Sequence, residues 1–141
     1  MIFKEYEGDL FSIDDKYYLV HCISTDCSLS AGIAVKFEKK YHLRSKLLDY
    51  PYFDRIYPCC ILIDKAFNLI TKEKYWQKPT YKSLELSLLK LKDLILAKEI
   101  KYIAMPRIGC GLDKLNWSKV RNSIQDIFKD TDIEILVCYI D

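Results

Sequence analysis

The residues best suited to chemistry are few, and they fall at the ends of apolar runs. Gly109 and Gly111 flank Cys110 just beyond the run 102–105. A Gly-x-Gly turn can point successive N–H groups into one concavity, and such a nest binds an anion such as a diphosphate. Gly32 stands just ahead of a stretch with helical period, where unsatisfied N–H groups and the helix dipole also favour phosphate. The chain has only four glycines, and each lies at a junction between elements. Ordinary turns account for that spacing as well as a phosphate site does. Gly109-Cys110-Gly111 lacks the third glycine of a dinucleotide fingerprint. Lys72 closes the apolar run 67–71; taken alone, a lysine leaving a strand is a solvated side chain. His21, inside an apolar run, reads as a satisfied core histidine rather than a catalyst.

The cysteines offer little chemistry. Cys22, Cys27, Cys59, Cys60, Cys110 and Cys138 form no CxxC pair, and several sit in apolar runs. His21 and His42 lack ligand spacing, so no zinc site is expected. The opening Met1-Ile2-Phe3-Lys4-Glu5 is charged and carries no long apolar stretch, so no secretory leader is expected. Reduced core thiols in a cytoplasmic protein follow. No apolar run approaches the ~18 residues of a membrane span.

The elements that must position these residues can be read from period and punctuation. Residues 1–7 read as a strand ended by Gly8-Asp9, and 17–23 as a second, nearly continuously apolar strand. A polar loop from Ser24 to Ser30 leads to a helix with Ile33, Phe37 and Tyr41 at i, i+4, i+8. The stretch 43–56 reads as partly helical, with Pro51 as a breaker. Residues 59–63 and 67–71 read as strands around a turn near Asp64-Lys65. The strongest helix follows Pro79-Thr80, with Thr80 as N-cap and Leu84, Leu88, Leu91 and Ile95 on one face. Residues 102–105 are a short buried strand closed by Pro106. A helix starting near Asn116 carries Trp117, Val120, Ile124 and Ile127. The run 133–140 is apolar enough to be covered on both faces. Helices alternating with buried strands give a three-layer α/β fold, whose ligands sit beyond the carboxyl ends of the strands.

The 141 residues suit one domain. A net charge of +2 with interspersed signs gives no electrostatic case for nucleic acid. Such a balance does not exclude a local site for a polyanionic small ligand.

Several blocks together go beyond spacing. They are Gly8-Asp9-Leu10-Phe11; His21-Cys22-Ile23-Ser24 through Asp26-Cys27 to Ala31-Gly32-Ile33-Ala34; Ile70-Thr71-Lys72; Lys78-Pro79-Thr80-Tyr81; and Met105-Pro106-Arg107-Ile108-Gly109-Cys110-Gly111-Leu112-Asp113. This order resembles the macrodomain family, and within it the terminal ADP-ribose protein glycohydrolase branch. The resemblance implies a single three-layer α/β/α domain over 1–141 with a central mixed sheet. It also implies binding of ADP-ribose. Asp9 would accept a hydrogen bond from the adenine amino group, the Leu10 backbone would read the same ring, and Ile140 would border it. Ser24 and the loop to Gly32 and Ile33 would wrap the diphosphate and distal ribose. Backbone donors from Arg107, Ile108, Gly109, Cys110, Gly111 and Leu112 would hold the phosphates.

In that branch, a lysine at the position of Lys72 is a nucleophile. It attacks C1″ of the distal ribose and leaves a lysyl-ADP-ribose adduct, which an aspartate at the position of Asp113 resolves as acid/base. An amine attacks only when neutral, and an ordinary lysine with a pKa near ~10.4 is neutral about once in 2,500 at pH 7. Burial favours the neutral amine and a nearby carboxylate favours the ammonium. Either Asp113 takes the lysine proton on substrate binding or it becomes protonated itself. No metal and no other cofactor enter this scheme.

Two departures stand out. Glu73 follows Lys72 where the family has a second basic residue. The stretch 43–66 matches loosely and would shape the rim near the distal ribose. The partners implied are ADP-ribose and ADP-ribosylated protein, with an ADP-ribosylated nucleobase or O-acetyl-ADP-ribose as other substrates; no membrane is involved, and a monomer is expected. A reader module that binds without turnover needs only the loops. A scaffold with no nucleotide site would have no use for glycines concentrated in phosphate loops.

Overall fold

A computed structural model describes residues 1–51, 53 and 57–140. Six strands form one sheet: β1 (Ile2–Glu7), β2 (Tyr18–Ser24), β3 (Cys59–Ile63), β4 (Ala66–Lys72), β5 (Tyr102–Met105) and β6 (Glu134–Tyr139). Their spatial order is β1-β6-β5-β2-β4-β3. All neighbours are parallel except β3, which pairs antiparallel with β4 at one edge. The sheet is therefore mixed. A single residue pattern explains why it holds two helical layers. Leu19 faces one core and Val20 the other, as do Ala66 and Phe67, or Ala104 and Met105. Strands apolar on both sides need cover on both.

One cover is α3 (Tyr81–Ala97) with α4 (Trp117–Phe128), which bury Leu84, Leu88, Leu91, Ile95, Val120, Ile124 and Phe128. The other is α1 (Ile33–Tyr41) with α2 (Leu43–Leu48), which bury Phe37, Leu43 and Leu47. The helix expected in the stretch 43–56 is thus real but short. Tyr52 and residues 54–56 of that stretch, like Asp141, lie outside the described residues. The expected strand at 17–23 runs one residue later, and the last strand is shorter than the apolar run by one residue at each end. Among the described residues, no helix is long and apolar enough to cross a membrane.

Caps set where the helices begin. Thr80 Oγ1 accepts the Ser83 N–H at 3.0 Å while Ser83 Oγ accepts the Thr80 N–H at 3.0 Å, a capping box with serine at N3. Asn116 caps α4 through the Lys119 N–H. α3 is also tied to the sheet: Ser83 Oγ donates to Thr71 O and Ser87 Oγ to Ile70 O. Those bonds fix α3 beside the end of β4.

His21 is fully buried, as its apolar surroundings predict. Its ring stacks on Phe37 at 3.8 Å, and Nε2 lies 2.6 Å from Asn68 Oδ1. Asn68 Nδ2 donates to Ile61 O and Ala66 O, so Oδ1 is the acceptor and His21 carries its proton on Nε2. Burial pushes the imidazole down to about 4, against the pull of Asn68. It is a neutral core residue.

Candidate functional site

Five of the six strands run parallel, so the loops leaving β1, β2, β4, β5 and β6 gather at one edge of the sheet. The candidate residues all lie there. Two adjoining cavities open between these loops, of about 660 and 530 Å³. They share Gly32, Ile33, Pro106, Arg107 and Gly111, so they are two lobes of one cleft.

The first lobe is lined by Asp9, Leu10, Phe11, Trp117, Tyr139 and Ile140 among others. Asp9 caps a short 3₁₀ turn, Leu10–Ser12, by accepting the Phe11 N–H at 3.0 Å and the Ser12 hydroxyl at 3.1 Å. Those bonds, led by the backbone N–H, hold its carboxyl below the usual range. Leu10 is buried, whereas Ile140 is 71% exposed on the rim. The Arg107 guanidinium lies 4.1 Å over the Tyr139 ring and walls the junction of the lobes.

The second lobe holds Ser24, Leu112, Lys72 and Asp113. Lys72 Nζ and Asp113 Oδ1 are 2.6 Å apart, and the two side chains are only 14% and 16% exposed. A register shift brings Lys72 there. Ile23 pairs with Ile70 but Ser24 pairs with Lys72, so Thr71 is the extra residue of a β-bulge. Bulges re-aim side chains at strand ends. Cys22 lines the same lobe. Burial, reinforced by Asp113, pushes its thiol up to about 12, so it stays protonated.

The phosphate-loop candidates lie between the lobes. Gly32 and Gly109 adopt positive φ of 60° and 74°. A side chain at Gly109 would also come within 3.0 Å of Leu115 Cδ1. Gly111 differs: a Cβ there would meet nothing within 4 Å. Among the described residues the N–H groups of Ile108, Gly109, Gly111 and Leu112 have no internal acceptor, whereas Cys110 N–H donates to Arg107 O at 3.2 Å. Arg107, Ile108, Gly109, Cys110, Gly111 and Leu112 are thus brought to the cleft, with the Cys110 amide already engaged. The N-terminus of α1 at Gly32 has no side-chain cap and also faces the cleft.

Several residues of the cleft escaped sequence reasoning. Tyr75 and Trp76 stand exposed on the rim of the Lys72 lobe. An aromatic dipeptide amid Lys74, Gln77 and Lys78 was the available signal. Trp117, read as part of the apolar stripe of α4, is half-buried and lines the first lobe, its indole N–H donating to Glu5 at 2.8 Å. Cys27 and Leu29 are non-glycine residues with positive φ in the loop after β2. Strain of that kind gathers at functional loops.

A three-layer α/β/α domain with its cleft at the carboxyl ends of the strands is an architecture that binds its ligand there. Comparison with protein-family profiles gives no match. Sequence comparison does: the chain is 41% identical to ADP-ribose glycohydrolase OARD1 of Bos taurus over 134 residues, covering 93% of this chain and 87% of that protein. The Homo sapiens protein of the same name is 40% identical over the same shares. Among solved structures, the macrodomain of Mycobacterium tuberculosis DarG superposes with a TM-score of 0.86 at 19% identity, covering 99% of both chains. Thermosipho africanus DarTG, solved in complex with ADP-ribose, gives 0.75 at 18%, over 97% of this chain and 41% of that one. The chain belongs to the macrodomain family, in its ADP-ribose glycohydrolase branch.

Proposed function

We propose that this chain is a hydrolase that binds ADP-ribose across the two lobes and removes it from modified acidic side chains. Asp9, Leu10 and Ile140 take the adenine end. The amides of Ile108, Gly109, Gly111 and Leu112, with Gly32 and Ile33, take the diphosphate. Ser24, Lys72 and Asp113 face the distal ribose.

The observation that carries the reading is the Lys72–Asp113 contact at 2.6 Å inside the cleft. A reader needs no such pair. The carboxylate is placed to accept the ammonium proton as the amine becomes a nucleophile. Lys72 Nζ then forms a bond to C1″ while the C1″–oxygen bond to the acyl group breaks, and the released carboxylate departs. Asp113 passes its proton to the departing carboxylate, then, ionised again, takes a proton from the water that displaces Nζ at C1″, and finally returns that proton to the freed amine. The same attack fits O-acetyl-ADP-ribose esterified at C1″, with acetate leaving, or a nucleobase linked at C1″, with the base leaving. We propose that the chain acts as a monomeric, cytoplasmic enzyme.

The test is incubation with a mono-ADP-ribosylated peptide and mass spectrometry of free ADP-ribose. Release supports the hydrolase. Binding of ADP-ribose without release would leave a reader module in its place.

A further inference from the structure

Beyond the end of β2 and β4 the two strands do not separate. Thr25 N–H donates to Lys72 O at 3.1 Å and Asp26 N–H to Glu73 O at 3.2 Å, while the Thr25 hydroxyl donates to Glu73 O at 2.7 Å. The Asp26 carboxylate completes this zipper. Its Oδ2 accepts the Tyr75 N–H at 2.9 Å, and its Oδ1 accepts the Ser24 hydroxyl and, at 3.4 Å, the Ser28 N–H. One side chain therefore joins the loop after β2 to the loop after β4, three residues past Lys72. Three donors converge on it, and burial, which alone would favour the neutral acid, is outweighed by them, so the carboxyl is held below its usual range.

We infer that Asp26 is a positioning residue for the reaction: it clamps the two loops so that the Lys72 main chain and the Tyr75-Trp76 rim stay fixed against the distal sugar. The claim about turnover rests on the hydrolase reading above. The clamp itself is a matter of geometry. An asparagine cannot replace the carboxylate, because one side of its amide would present hydrogens to a donor. Asp26 lines neither lobe, and the adenine end and the amides of the loop after β5 are not among its partners, so loss of the clamp falls on turnover more than on the affinity for ADP-ribose that the Ser24–Ser28 loop helps to supply.

The experiment compares wild type, Asp26→Asn and Asp26→Ala in three readouts. These are kcat and KM on a mono-ADP-ribosylated peptide, calorimetric affinity for free ADP-ribose, and amide hydrogen exchange at Tyr75 by NMR. In wild type the Tyr75 amide is expected to be protected relative to an unstructured peptide despite its exposed side chain. In both variants the expected results are Tyr75 exchange at least ~10-fold faster, kcat at least ~10-fold lower, and ADP-ribose affinity within ~3-fold of wild type. Unchanged kcat overturns the inference. So does a parallel fall in kcat, affinity and Tm, which marks a general loss of structure. An unprotected Tyr75 amide in wild type overturns it without any variant having to fold. If wild type releases no ADP-ribose, the hydrolase reading falls instead, and the exchange data alone decide whether the clamp exists.

Discussion

At the scale of single residues, the cleft separates positions the fold needs from positions only a ligand needs. Gly109 is needed by the fold, because its φ of 74° and the nearby Leu115 side chain both oppose a Cβ. Gly109→Ala is expected to cost about 1–2 kcal/mol of stability, read from urea unfolding. Gly111 has neither constraint. Gly111→Ala is expected to leave stability within ~0.5 kcal/mol of wild type. If the chain at that point lies against a diphosphate, the same methyl group weakens ADP-ribose binding by at least ~10-fold, since it adds steric bulk where backbone must approach the ligand. Equal affinity would show that the phosphate lies elsewhere. Lys72→Ala is expected to lower turnover by at least ~10³-fold with affinity within ~3-fold, because the proposed binding mode assigns adenine and phosphates to other residues.

At the scale of elements, the helices were legible where caps and period agreed. Thr80 and the stripe from Leu84 to Ile95 define α3 from sequence, and the structure places them as read. Thr80→Ala is expected to cost ~1 kcal/mol, seen as a lower urea midpoint with unchanged ADP-ribose affinity. Strand identity was legible too, from continuous apolar runs. What the sequence could not show was register. The bulge at Thr71 decides where Lys72 points, and it arises from pairing between segments some fifty residues apart, which local pattern does not encode. The Asp26–Tyr75 bond is equally non-local. Gly109-Cys110-Gly111 was visible as a motif. That the Cys110 amide is turned inward to Arg107 O depends on the folded loop. Trp117 followed the helical period yet ended at the cleft, because α4 begins there and its first turn overhangs the sheet edge.

At the scale of the whole molecule, the two cores are stacked on a sheet whose polar interior is small. His21 and Asn68 sit fully buried in it. The unfolded chain has a histidine near 6.5, and the folded one near 4, so the unfolded state binds the proton more tightly between those values. This contribution to stability is whole above pH 6.5 and is lost as pH falls toward 4. Complete only below pH 4, that loss is roughly 3 kcal/mol, of which about 2 kcal/mol falls between pH 7 and 4.5. Urea unfolding at pH 7, 5.5 and 4.5 checks it: His21→Gln is expected to remove about 2 kcal/mol of the stability lost across that range, and an unchanged loss would assign it to carboxylates.

The parallel strands deliver one amine and one carboxylate to the end of a nucleotide cleft, and the central claim is that this amine becomes covalently attached to the sugar. The most direct measurement is the intact mass of the protein mixed with ADP-ribosylated substrate under borohydride, followed by peptide mapping. The expected result is a reduced ADP-ribosyl adduct on Lys72, absent from Lys72→Ala. Rapid release of ADP-ribose with an unmodified Lys72 would contradict it and would assign the attack on the sugar to water.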